Sequence, residues 1–279
     1  MSVINTNVAA NSAYLNLSRT SGMLEKSIQK LSSGFRINRS ADDAAGAAIA
    51  NQLRATGRSL QAAQRNATQA NAVLQIADGA VQTVSQILDR MKELATQAAS
   101  DNSGTDGRLN LDAEYQALVL EIDRIANTTE YQGTKLTDGT GATLTFLVGS
   151  SGDYAANDTV TVDASQVNLK SATILGAAAA DLKTLAAAQG ELTKVDAAIT
   201  AVGKAIGVVG AAQSRIEFAQ SNVATTYQNV VAAESSIRDA DMAFEMTQFT
   251  KAQILQQAGT AMLAQANQAP QTVLTLLRG

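Results

Sequence analysis

The sequence predicts a mainly α protein: an elongated antiparallel helical hairpin or coiled-coil bundle with a small β-hairpin in its middle region. Three observations predict it. An apolar repeat of helical period starts at Leu60, and a second stretch with the same spacing lies in the carboxyl-terminal half. The composition is the third: of 279 residues, 46% are apolar but only 4% aromatic, about a fifth are alanine, and a single proline is present. Proline would interrupt a helix, and aromatic side chains normally supply much of a compact core, so long helices packed closely through small residues fit better than a globule.

The first element is an amphipathic terminal segment with Leu24, Ile28, Leu31 and Phe35 at helical spacing. The second is the long helix. Alternating steps of three and four from Leu60 give Ala63, Ala67, Ala70, Leu74, Ala77, Val81, Val84, Leu88, Met91, Ala95 and Ala98, all apolar. A 3.5-residue repeat keeps one seam against a partner helix. A second stripe, Val73, Ile76, Ala80, Ile87 and Leu94, widens the face so that at least two neighbours are needed. Running from about Asp43 to Ala99, such a helix spans roughly 85 Å at about 1.5 Å per residue, which predicts a rod.

A break at SDNSGTDGRLN precedes a third helix with Leu111, Tyr115, Leu118, Ile122 and Ile125 on one face. From residue 140 the texture changes: TLTFLV and DTVTVD alternate around a turn-rich stretch and read as a β-hairpin. The Ala- and Gly-rich ILGAAAADLKTLAAAQG is compatible with either short helix or loop. The second long segment then carries Leu192, Val195, Ile199, Val202, Ile206 and Val209, continuing through Ile216, Val223, Val230 and Ile237. A terminal segment follows, with Ile254, Leu255, Ala258, Met262 and Leu263 before Pro270. This near-palindromic order predicts three divisions: a discontinuous terminal helical domain (1–42 plus 238–279), a discontinuous long-helix rod (43–139 plus 190–237), and a short outward-facing segment (140–189). The expected rod core includes Leu74, Val81, Val84, Leu88, Leu118, Ile122, Ile199, Val202, Ile206 and Val230.

Composition also bounds chemistry. Without histidine or cysteine the chain has no thiolate nucleophile, no imidazole base and no Cys/His metal site, so no catalytic, metal or cofactor site is expected. A formal net charge of -4 argues against a nucleic-acid footprint, which needs clustered cations. The amino terminus shows no basic region followed by an apolar run, so no cleaved signal is expected. No uninterrupted apolar stretch reaches the ~18 residues of a membrane span, so no membrane insertion is expected. The polar faces of the terminal segments are mostly Asn, Gln, Ser and Thr, which are cheaper to bury than charges once hydrogen-bonded. They suit contact with many copies of the same chain.

Two runs carry a family likeness. QKLSSGFRINRSADDAAGAAIA, residues 29–50, resembles the amino-terminal signature of bacterial flagellin, and SSIRDADMAFEMTQFTKAQILQQAGTAMLAQANQAPQTVLTLLRG, residues 235–279, resembles its carboxyl terminus. With LDRMKELATQAAS and GAAQSRIEFAQSNV, the resemblance covers roughly residues 1–150 and 190–279. It implies a structural subunit that self-assembles into the extracellular flagellar filament and performs no chemistry. It also implies export without a cleaved signal peptide through the flagellar type III apparatus, and an export chaperone, cap and hook-associated proteins as partners. The terminal segments would pair to line an inner tube, with Leu24, Ile28, Leu31, Phe35, Ile254, Leu255, Met262 and Leu263 as assembly residues. Two alternatives are a hook-filament junction protein, which shares similar ends, and a cytosolic coiled-coil adaptor, which fits the repeats but not the paired signatures.

The same resemblance implies contacts with host innate immune receptors. Arg90, Glu93, Leu94, Gln97 and Glu114 match positions presented to the vertebrate Toll-like flagellin receptor. Asp42, Asp43 and Gly46 lie in the segment similar to the one read by a plant receptor. Leu274, Leu276 and Leu277 resemble positions read by a cytosolic inflammasome sensor. Read as residues alone, Asp42 and Asp43 are adjacent and so diverge on a helix. Capping of the long helix is the better reading of ADDAAG than a carboxylate pair for metal or acid chemistry.

Overall fold

A computed structural model describes residues 6–101, 104–141, 143–149, 158–176 and 181–278, with side chains described to residue 268. In chain order it contains α1 (Val8–Ser33), α2 (Ala44–Ala98), α3 (Thr105–Thr128), β1 (Glu130–Tyr131), β2 (Thr134–Lys135), β3 (Leu144–Leu147) and β4 (Thr159–Val162). A 3-10 turn (Ala164–Gln166), α4 (Ser171–Ile174), α5 (Leu185–Arg238) and α6 (Met242–Arg278) follow. The fold is mainly α with long helices, as the repeats predict, and β3 pairs antiparallel with β4 with Phe146 opposite Val160. Of the Ala-rich stretch, Ile174 ends the short α4 and the residues from Leu185 onward open the long α5, which neither reading anticipates; residues 177–180 lie outside the described residues.

The chain divides into two units. A terminal unit combines Met1–Thr56 with Asn229–Gly279, and a central unit comprises Gly57–Gln228. These boundaries differ from the expected ones. The expected cut after residue 42 is a break between helices, but packing continues past it. The described residues of 140–189 do not stand apart either: Val148, Val160, Val162, Val167, Leu169, Leu175 and Leu182 belong to the same core as the long helices. So few apolar side chains cannot enclose a core of their own, and burying them against a ready-made helical face removes each from water for about 1.5–3 kcal/mol.

The central unit is built on the α2 seam. All twelve residues of its 3.5-residue repeat, from Leu60 to Ala98, are at most 5% exposed. They face Tyr115, Ile122 and Ile125 of α3 and a stripe on α5 formed by Val195, Ala198, Val202, Ala205, Val209, Ala212 and Ile216. Here the sequence reading needs a correction. The repeat puts Ile206 in the core at a seam position, but it is exposed, and Ala205 takes that place. Ile199 is likewise only half-buried while Ala198 is fully buried. Val195, Val202 and Val209 face inward as the repeat expects, and between them Ala198 and Ala205 do so rather than Ile199 and Ile206, because alanine lets the backbones approach closely.

The widened face of α2 is covered by strands as well as helices. Val73 and Ala77 pack with Leu136 under Tyr131, Leu144 and Phe146, whereas Ile76 stays exposed. β1 and β2 are joined through Gln132 and Gly133, both at positive φ (49° and 80°). This is the two-residue turn whose twist matches a hairpin. Polar groups in the core are partnered. The Tyr115 hydroxyl donates to Glu191 (3.1 Å), which also meets Lys194 Nζ (2.7 Å). Burial, and then the Glu191 charge, push the Tyr115 phenol well above its ordinary value. Helix α5 also contains an 18-residue window of mean hydropathy 1.5, and its inward stripe packs into this protein core.

Candidate assembly surface

The terminal unit is organised by the pairing of α1 with α6. The two run antiparallel: Ser27 of α1 donates from Oγ to Glu245 Oε1 of α6 (2.7 Å), and near the opposite ends Asn7 Nδ2 donates to the Ala266 carbonyl (2.7 Å). The second bond answers a need created by the chain's one proline. Helix α6 runs through Pro270 and continues to Arg278. A proline has no N–H for the carbonyl four residues back, and that carbonyl is Ala266. Asn7 supplies the missing donor while its own Oδ1 caps α1 by accepting from Ala10 N (3.0 Å).

The interface between these helices is made of small and polar groups. Thr20, Ser27, Glu245 and Ala252 are buried. A Cβ added at Gly259 would stand 3.3 Å from Leu17 Cδ1, so the backbone of α6 passes close to α1 there. Glu245 accepts from Ser27 and lies 3.6 Å from Lys30 Nζ. A buried carboxylate without such partners would be costly. Leu17 lies in this contact, but many of the larger apolar side chains point elsewhere. Tyr14, Leu15, Met23, Phe244, Met246, Ile254 and Met262 are all at least half exposed.

The expected assembly residues fall into two groups. Ile28, Ile254, Leu255 and Met262 are 43–63% exposed. Leu24, Leu31, Phe35 and Leu263 are half-buried. Phe35 lies under the Arg238 guanidinium, 4.2 Å from ring centroid to cation. This stack belongs to a clasp between the chain after α1 and the end of α5: Arg36 N donates to the Arg238 carbonyl (2.7 Å) and Ala240 N to that of Gly34 (2.9 Å). The Arg36 guanidinium donates to the Ile237 carbonyl (2.6 Å) at the end of α5. Gly34 ends α1 in the left-handed conformation (φ 75°), where a side chain would be strained.

Asp42 and Asp43 serve the backbone. Asp42 Oδ2 accepts from Arg39 N (2.9 Å) and Asn38 N (3.2 Å), and these bonds, the Arg39 one foremost, hold its carboxyl below the usual range. Asp43 caps α2, accepting from Gly46 N (2.8 Å). Gly46 is buried, and a Cβ there would fall 2.8 Å from Ile37 Cδ1. On the central unit, Arg90 Nε meets Glu114 Oε1 (2.9 Å) and Arg90 Nη1 meets Glu93 Oε2 (3.0 Å), all three exposed. These partners, Glu114 before Glu93, raise the Arg90 pKa. Gln97 is exposed beside them. Leu94 is not part of that surface; it is 1% exposed and packs in the core. Leu274, Leu276 and Leu277 fall in α6, and their side chains lie outside the described residues.

Three features of the terminal unit escaped the sequence reading: the Ser27–Glu245–Lys30 lock, the close approach at Gly259, and the Asn7 bond to Ala266. Each joins residues more than two hundred positions apart in the chain. Only the lone proline gave a signal, because it orphans one carbonyl.

Two family models match the chain: the bacterial flagellin N-terminal helical region over residues 4–142 and the bacterial flagellin C-terminal helical region over residues 192–277. The chain belongs to the bacterial flagellin family. A flagellin of Halalkalibacterium halodurans is 41% identical over 277 residues, covering 99% of this chain and 100% of that one. The crystal structure of Bacillus cereus flagellin is similar in fold, with a TM-score of 0.51 and 32% identity over 61% of this chain and 94% of that one. A solved structure assigned as a flagellar hook-associated protein from Vibrio parahaemolyticus has a TM-score of 0.58 at 14% identity, covering 71% of this chain and 100% of that one. At that identity the likeness concerns the fold alone and gives no support to the junction-protein alternative. This flagellin is a structural, non-enzymatic subunit of the extracellular flagellar filament, and it serves motility as a helical homopolymer.

Proposed function

We propose that the outward apolar side of the α1/α6 pair is the surface through which copies of this flagellin join, and that it is completed by the same unit of neighbouring copies. One observation carries the reading. Thirteen of the eighteen exposed large apolar side chains among the described residues lie in the terminal unit, although the central unit is the longer. Contiguous exposed apolar surface marks interaction sites. Contact between non-identical faces with a rotation that does not close produces an open helical polymer. The double variant I254D/M262D tests this: the monomer should keep its helix content and thermal midpoint but fail to extend filament seeds. Normal elongation would refute the role given to this face.

A second role rests on the exposed Arg90–Glu93–Glu114 cluster, which fits a receptor able to read paired charges on an outer helical surface. In this reading Leu94 acts only by packing beneath the cluster. Monomer signalling through the vertebrate receptor should fall in E114K while filament assembly is retained; unchanged signalling would refute it. Asp42 and Asp43, on the exposed turn above the buried Gly46, are the corresponding residues for the plant receptor, and Leu274, Leu276 and Leu277 those for the inflammasome sensor. Export through the flagellar type III apparatus with a dedicated chaperone, without cleavage of a signal peptide, and capture by cap and hook-associated proteins complete the reading. Mass analysis of secreted chains checks the cleavage point.

A further inference from the structure

The chain has no cysteine, histidine or tryptophan, so its thioethers are the side chains that a mild two-electron oxidant attacks. Five methionines fall among the described side chains. Met91 is fully buried in the central unit, whereas Met23, Met242, Met246 and Met262 are 46–63% exposed and all lie on α1 or α6 of the terminal unit. Met23 lines a groove of about 330 Å³ between these helices together with Phe244, Ala252 and Leu255. Met242 and Met246 stand one turn apart on α6.

This placement couples packing to chemistry. A methionine side chain is flexible and polarisable, which suits a surface that must fit a neighbouring molecule. The same sulfur leaves that surface open to oxidation until the neighbour arrives. Attack needs only that the sulfur atoms reach solvent, so it proceeds whether α1 and α6 pair before docking or during it. The product is a different surface: a sulfoxide is polar and chiral where the thioether was apolar. Its oxygen is a hydrogen-bond acceptor, and burying it in an apolar contact with no donor is unfavourable.

We infer that Met23, Met242, Met246 and Met262 form a reversible modification site that gates assembly: hydrogen peroxide converts them to sulfoxides in unassembled chains, and chains so modified do not join a filament. The peroxide O–O bond breaks as one oxygen bonds to sulfur; the sulfur gives up two electrons and the other oxygen leaves as water. A dithiol reductase reverses the step, releasing the sulfoxide oxygen as water while its two thiols become a disulfide. The inference rests on the assembly role proposed above for the α1/α6 face.

Full-length wild type and M23L/M242L/M246L/M262L, which keeps Met1 and Met91, are treated with hydrogen peroxide as unassembled chains and freed of oxidant. Mass spectrometry reads the sulfoxide at each site, and the chains are then added to untreated filament seeds. Wild type carrying all four sulfoxides should elongate about tenfold more slowly than untreated chains, and the two epimer-specific methionine sulfoxide reductases together should restore it. The leucine variant should elongate equally with and without peroxide. If that variant does not assemble, oxidised against reductase-repaired wild type decides alone. Unchanged elongation by fully oxidised wild type, no recovery after reduction, or an equal loss in the leucine variant would overturn the inference. Normal elongation by I254D/M262D would instead remove the assembly face itself, so the two failures are told apart.

Discussion

The terminal and central units use the same residue types to opposite ends. Of the buried apolar residues among those described, only Ile37, Ala50 and Ala252 belong to the terminal unit. The central unit closes an apolar core around the α2 seam, with Leu88, Met91, Ile122 and Ile216 at 0% exposure. The terminal unit places Thr20, Ser27, Glu245 and Gly259 between its helices and leaves Tyr14, Met246, Ile254 and Met262 in water. One unit satisfies itself. The other holds its shape with hydrogen bonds and a close backbone approach and keeps its apolar area for another copy.

The largest expected effect separates the two units most sharply. Leu88→Ala removes a fully buried side chain from the central core and should cost about 2–5 kcal/mol in urea unfolding, whereas Ile254→Asp should leave stability within about 0.5 kcal/mol and abolish filament elongation. If both changes act mainly on monomer stability, the contrast fails. Next comes Asn7→Ala, which strips both a helix cap and the donor to the Ala266 carbonyl. The acceptor is part-buried, so leaving it unsatisfied costs up to about 1 kcal/mol, the low end for a buried group, and hydrogen exchange should show α1 and the matching part of α6 opening together while the central unit keeps its protection.

A pH experiment sharpens the comparison from the other side. The fold raises the Tyr115 phenol above its ordinary value of 10.0, so the stabilisation from the neutral hydroxyl is complete below pH 10 and declines as pH rises beyond it. Alkaline titration should therefore loosen the central unit first, and Tyr115→Phe should flatten that dependence. The smallest effect is at the surface. Arg90→Ala removes exposed ion pairs to Glu93 and Glu114, which are worth about 0–1 kcal/mol, and should leave the thermal midpoint nearly unchanged.

Much of the central unit was legible because its cause is local. A seam of period 3.5 can be read along α2 from residue to residue, and the alternation in TLTFLV and DTVTVD announces a hairpin. The choice between Ala205 and Ile206 was not legible, since both rows are apolar and only the spacing of the neighbouring backbones selects the small one. The terminal unit resisted for a related reason. Ser27 and Glu245 look like ordinary surface residues until α1 and α6 are set side by side, and Leu94 looked equally suited to core and surface. The exposed apolar side of that pair could be guessed from its periodicity, but periodicity does not tell which partner covers it.

Methionine oxidation tests the central claim most directly, because methionines sit on both kinds of surface. In the monomer, Met23, Met246 and Met262 are 50–63% exposed and Met91 is fully buried. Site-resolved oxidation rates are to be measured by mass spectrometry on monomer and on assembled filament. The account predicts fast oxidation of Met23, Met246 and Met262 in the monomer, strong protection of all three in the filament, and slow oxidation of Met91 in both. Equal rates for the three in monomer and filament would contradict it.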